Sequence, residues 1–169
     1  WLAGATAGRI AALVWMTLPS IALGSFVIST DTPLLLCWSA GVLALVGVLT
    51  GRLRERRGML FAGGTFGAAM LAKYAAIYGL AGLALFVLAT SVLSRGKDRQ
   101  KVIGWRGLGL FTLGMLVVAS PNILWNLANE LTTFRHLGDN ANLDLRSYSL
   151  AGSISFLAAQ FSTAGPIVF

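Results

Sequence analysis

Uncharged runs long enough to cross a bilayer, separated by short basic clusters, constrain this 169-residue chain more than any other feature. A spanning helix needs about 20 mostly apolar residues. Hydrocarbon offers bare backbone groups no hydrogen-bond partner, so runs of this length must satisfy themselves as helices. The first run extends from Ile10 to Ser29, between Arg9 and Asp31. The second extends from about Pro33 to Thr50 and stops at Arg52, Arg54, Arg56 and Arg57. Pro33 suits a first helical turn, with Asp31 or Thr32 as the cap. Met59 to Leu93 follows, 35 residues interrupted only by Lys73. One helix of that length is too long for a single crossing, so two short helices joined near Lys73-Tyr74 are expected. After the loop Arg95 to Lys101, a span from about Gly107 to Ala119 is expected to end at Ser120-Pro121-Asn122. Either Ile103 to Trp105 or Ile123 to Trp125 would extend it into the interface. A polar stretch covers about 126–149, and a last apolar run starts near Leu150. The expected fold is all-α: one polytopic transmembrane helix bundle with five to six spans.

Composition agrees. Hydrophobic residues make up 56% and charged residues 11%, against about 45–50% and about 25% in ordinary soluble domains. A water-soluble enzyme, a disordered tail and a disulfide scaffold are all excluded. A net charge of +7 would suggest nucleic acid in a soluble chain. Here the bases sit between apolar runs, as they do in cytoplasmic loops, and the partner is membrane lipid rather than nucleic acid. Cys37 stands alone in an apolar run and reads as a small buried hydrophobe. Gly63 and Gly67 are four apart, a spacing that lets helices pack closely.

The bases divide unevenly between the two faces of this topology. Arg9, Arg52, Arg54, Arg56, Arg57, Arg95, Lys97, Arg99, Lys101 and Arg106 fall on one side. Lys73, Arg135 and Arg146 fall on the other, with Asp31, Glu130, Asp139 and Asp144. The positive-inside rule makes the first side cytoplasmic and puts Asp31, Lys73 and the 126–149 loop outside the cytoplasm. An integral protein of the bacterial inner membrane is expected.

No nucleotide-binding, metalloprotease or hydrolase signature occurs, and the single His136 has no co-ligands at metal-binding spacing. The polar residues at helix ends carry whatever chemistry exists. Asp31 is either a helix cap or a carboxylate in an extracytoplasmic cavity. Lys73 either snorkels to the headgroups or meets a lipid phosphate. Asn126, Arg135 and His136 read as a solvated loop or as a sugar- and phosphate-binding set. Gln160, inside an apolar run, needs a hydrogen-bond partner, usually on another helix.

Four segments in order resemble a known family. They are Ser29-Thr30-Asp31-Thr32-Pro33-Leu34-Leu35 with Trp38, and Leu71-Ala72-Lys73-Tyr74. The third is Ser120-Pro121-Asn122-Ile123-Leu124-Trp125-Asn126 with Phe134-Arg135-His136. The last is Gln160 with Gly165-Pro166. Together they are similar to polytopic glycosyltransferases of the GT-C fold. That group includes the dolichyl-phosphate-mannose–protein mannosyltransferases and the lipid A aminoarabinose transferases.

The resemblance implies an inverting enzyme that moves a sugar from a polyprenyl-phosphate donor to a protein, lipid or glycan acceptor. It implies Asp31 as the second acidic residue of the cavity. Lys73, Tyr74, Asn126, Arg135, His136 and Gln160 become candidate substrate-binding residues. The principal catalytic acid of such enzymes lies in a first extracytoplasmic loop, and Trp1 to Gly8 holds no acid. The chain therefore reads as an internal piece, inactive by itself, of a longer protein. No cofactor is indicated, and assistance by a divalent metal stays open. A transporter or flippase and a non-catalytic scaffold are the alternatives. A transporter would place its rare charges near the bilayer midplane, whereas these gather at one face.

Overall fold

A computed structural model describes residues 2–18, 21, 24, 27, 29–93, 103–133 and 150–164. These residues form helices and connecting turns, with no strand among them. The elements are α1 (Gly4–Thr17), α2 (Asp31–Leu49), α3 (Glu55–Ala72), a 3-10 turn (Tyr74–Ala76), α4 (Ile77–Leu93), α5 (Trp105–Ala128) and α6 (Leu150–Ala164). The chain divides into two compact units. Thr30–Glu130 holds α2 to α5. The other unit joins Trp1–Ser29 to Leu131–Phe169 and holds α1 and α6.

Three helical segments are long and apolar enough to cross a membrane: Asp31–Leu49, Tyr74–Leu93 and Trp105–Ala128. They expose Leu36, Leu43, Leu85, Val92, Leu113 and Val117, as lipid-facing helices do. The chain is an integral membrane protein. The expected five to six spans are thus not reached by length and composition among the described residues. α1 has 14 residues and α6 has 15, and the expected spans from Ile10 and from Leu150 both continue into residues outside the described ones. α3 carries Glu55, Arg56 and Arg57 in its first turn and is uncharged beyond it, and it does not meet the same length and composition criterion.

The break at Lys73 falls where expected. Lys73 adopts an extended backbone (φ −157°, ψ 129°) and ends α3, and the 3-10 turn leads directly into α4. Phe66 and Gly79, similar distances from that turn, face each other, so α3 and α4 fold back as a hairpin. Neither Asp31 nor Thr32 is the cap of α2: Asp31 is its first residue, Thr30 is the N-cap, and Pro33 lies in the first turn as expected. At the other end Gly51 takes a positive φ of 72°, and its N–H returns to the Val48 carbonyl at 3.0 Å. That closure favours a residue without Cβ.

α3 is the centre of the larger unit, packed between α2 and α5. Its contact with α5 runs backbone to backbone. A Cβ on Gly63 would overlap the Phe111 carbonyl; one on Gly67 would lie 2.6 Å from the Met115 oxygen, and one on Gly114 would lie 2.5 Å from the Leu60 oxygen. The small residues expected to permit close packing do so from both helices. Phe66 fills the space beside this contact. Its ring is buried against Trp38 of α2 (centroids 4.8 Å apart) and Phe111 of α5 (5.3 Å). Met59, Ala62 and Met115 complete the core.

One boundary departs from expectation. Ser120-Pro121-Asn122 does not end α5, which continues through Pro121 to Ala128. Consequently the polar stretch begins later than residue 126. Proline has no N–H to give the carbonyl four residues back, here that of Val117. The Ser120 hydroxyl donates to that carbonyl instead, at 2.8 Å. In an apolar surrounding such replacement is what lets a proline sit inside a helix. Ser120→Ala should therefore destabilise the full-length protein by about 1 kcal/mol, read as a lowered unfolding midpoint in detergent. Ser120→Thr, which keeps the hydroxyl, should stay near wild type; equal losses in both would refute this account.

Candidate active site

The helices of Thr30–Glu130 alternate in direction, so chain order sorts their ends. The start of α2, the α3–α4 turn and the end of α5 lie at one end. Arg52 and Arg54 between α2 and α3, Arg56 and Arg57 in the first turn of α3, and Arg106 at the start of α5 lie at the other. The polar end holds the candidate site.

Lys73 Nζ donates to Asp31 Oδ1 at 2.7 Å, joining two residues 42 apart in the chain. The side chains are 48% and 54% exposed, respectively. The pair is thus reachable from outside the helices rather than sealed within them. A half-exposed pair of this kind contributes little to stability, about 0–1 kcal/mol. Neither reading of Lys73 named a partner within the chain, and the structure places Asp31 there.

The adjacent Tyr74 reaches the opposite way. Its hydroxyl donates to Asn122 Oδ1 at 2.7 Å. The Asn126 amide nitrogen lies 3.0 Å from the Asn122 carbonyl oxygen, 3.3 Å from Asn122 Oδ1 and 3.4 Å from the Tyr74 hydroxyl. Asn126 is only 1% exposed and is the buried polar residue among those described. The i, i+4 spacing of Asn122 and Asn126 puts both on one face of α5. An extended Lys73 followed by Tyr74 sends successive side chains to opposite sides. Sequence reasoning named Asn126 and Tyr74 but missed Asn122 as their shared partner; the i, i+4 spacing was the signal available.

The other expected site residues are not brought to this cluster by any described contact. Arg135 and His136 lie outside the described residues, as do Gly165 and Pro166. Gln160 falls within α6, in the other unit. Cys37 is half-buried in α2. Among the described residues no three His, Cys, Asp or Glu side chains gather to hold a metal. The Asp31 carboxylate faces an ammonium, so those residues alone do not fit a divalent cation.

Residues 2–125 match the family described as dolichyl-phosphate-mannose-protein mannosyltransferase. The chain belongs to that family of membrane glycosyltransferases. The match reaches from α1 through most of α5 and includes Asp31, Lys73, Tyr74 and Asn122. A relative within reach is the lipid A galacturonosyltransferase RgtD of Rhizobium johnstonii (strain DSM 114642 / LMG 32736 / 3841), 34% identical over 158 residues. The alignment covers 92% of this chain and 31% of the relative, so the chain spans about a third of that protein's length. No solved structure matches.

Proposed function

We propose that the full-length protein transfers a sugar from a polyprenyl-phosphate donor to a lipid or glycan acceptor, with inversion at the anomeric carbon. The carrying observation is the half-exposed Asp31–Lys73 pair at the polar end of a membrane bundle of this family. In such a step the acceptor hydroxyl oxygen bonds to the anomeric carbon, and the bond from that carbon to the phosphate oxygen breaks. The electron pair leaves with the lipid phosphate, and the acceptor proton passes to a carboxylate. Negative charge gathers on the departing phosphate, where an ammonium held at the membrane surface stabilises it. Lys73 is the group we assign to that phosphate. Asp31 holds Lys73 in place and serves as the second acidic residue of the site.

Arg135, His136 and Gln160 are proposed as further substrate contacts. The basic ends of the helices are proposed to face the cytoplasm of a bacterial inner membrane, with Asp31 and Lys73 on the far face. The name of the Rhizobium relative makes galacturonic acid and lipid A the first pair to test.

The test uses the full-length protein in liposomes with polyprenyl-phosphate-linked galacturonic acid and lipid A. Sugar-dependent release of polyprenyl phosphate, with galacturonic acid gained by lipid A, is expected. Transfer from a nucleotide sugar alone, or solute counterflow without any transfer, would overturn the reading.

A further inference from the structure

The α3–α4 turn is tethered on two flanks. Lys73 ties it to the start of α2, and Tyr74 ties it to α5. The two tethers differ in kind. The Lys73–Asp31 contact is half exposed, and water and salt compete with it. The Tyr74–Asn122–Asn126 contact is partly to fully sheltered, with Asn126 at 1% exposure. Breaking a sheltered hydrogen bond leaves a polar group stranded, which costs more than breaking an exposed one. The close α3–α5 contact places α3 up to Gly67; beyond it, the sheltered tether is the firmer of the two side-chain links that hold the turn, and the exposed Lys73 inherits that placement.

The main-chain hydrogen bonds of the turn do not suffice. Lys73 N–H bonds back to Ala69, and Ala76 N–H bonds to the Lys73 carbonyl. Both are local to α3 and the turn, so neither fixes the turn relative to α5. Asn122 and Asn126 do, since both stand on α5 beyond Pro121. A buried asparagine on a helix otherwise surrounded by apolar residues is expensive unless its amide is satisfied. Here its amide donates chiefly to the Asn122 carbonyl at 3.0 Å, with Asn122 Oδ1 at 3.3 Å and the Tyr74 hydroxyl at 3.4 Å, so it braces the asparagine that receives the Tyr74 hydroxyl.

We infer that Tyr74, Asn122 and Asn126 are positioning residues: they fix Lys73 through the α3–α4 turn rather than by touching substrate. This rests on the proposed role of Lys73, and it gives Tyr74 and Asn126 a different task from the substrate contact expected of them.

The experiment compares wild type, Tyr74→Phe, Lys73→Ala and the double variant as full-length proteins in the same liposomes. Donor and acceptor are titrated separately. Tyr74→Phe should lower kcat/KM for polyprenyl-phosphate-linked galacturonic acid by about tenfold, with the acceptor KM unchanged. In the Lys73→Ala background the same change should add less than about twofold, because a positioning residue has nothing left to position. Acylation of the Lys73 amine, followed by mass spectrometry, should run faster in Tyr74→Phe than in wild type.

A loss confined to kcat, equal in both backgrounds and with unchanged labelling, would mean fewer folded molecules and would overturn the inference. Wild-type kinetics in Tyr74→Phe would overturn it as well. Full activity in Lys73→Ala would sink the proposed function instead; the labelling rate would then decide the positioning role alone.

Discussion

Gly63→Leu should separate α3 from α5 and lower the stability of the full-length protein by about 3 kcal/mol or more, at or beyond the usual range for overpacking. The reason lies in what the new side chain would strike. The atoms nearest a Cβ at position 63 are the carbonyl oxygen, carbonyl carbon and Cα of Phe111. All belong to the main chain of another helix, and no rotamer change moves them. The helices must part, and parting loosens Met59, Ala62, Phe66, Phe111 and Met115 together. Gly109→Ala is the control. A Cβ there meets nothing within 4 Å, and alanine is the better helix former by about 1 kcal/mol. Unfolding midpoints in detergent check both. Similar midpoints for the two variants would show that the close contact does not matter.

Lys73→Ala should lower turnover of the full-length enzyme by about a hundredfold while leaving its unfolding midpoint almost unchanged. The size follows from losing one preorganised charge on a developing anion, which costs about 10²–10³ in rate. The unchanged midpoint follows from the exposure of the pair, which limits its contribution to stability. Asp31→Asn tests the other half. It keeps the shape but removes the charge that holds Lys73, and it should slow turnover less than removal of the ammonium does. Lys73→Arg keeps a cation with different geometry and should recover part of the rate. If Lys73→Ala lost stability and activity in step, the pair would be structural and the phosphate assignment would fail.

Much of the bundle was legible in the sequence because lipid imposes simple requirements. The uncharged stretch after Asp31 became α2, and the lone charge between Met59 and Leu93 marked the α3–α4 break. Gly63 and Gly67 showed their packing role through spacing alone. One feature of the bundle was not legible. Proline next to a polar pair reads as a helix end, yet α5 passes through it because the Ser120 hydroxyl takes over one carbonyl. That compensation depends on a rotamer, which no one-dimensional pattern displays.

The site was legible only as a set of polar residues on one face. The Asp31–Lys73 contact joins positions 42 residues apart, and no periodicity links them. Likewise Asn126 resembled the start of a solvated loop. Its burial became evident only when α5 extended past Pro121 and placed it against Tyr74.

The contact at Gly63, Gly67 and Gly114 also restricts how the family can drift. Most core clashes can be relieved by a second substitution, in which a neighbour shrinks as the first residue grows. Here the opposing atoms at Gly63 and Gly114 are carbonyls, and every amino acid has one. No change of partner can make room. Mutational history at these positions should therefore show constancy without covariation, whereas Phe66 and Trp38, which meet through their rings, remain free to exchange volume as a pair.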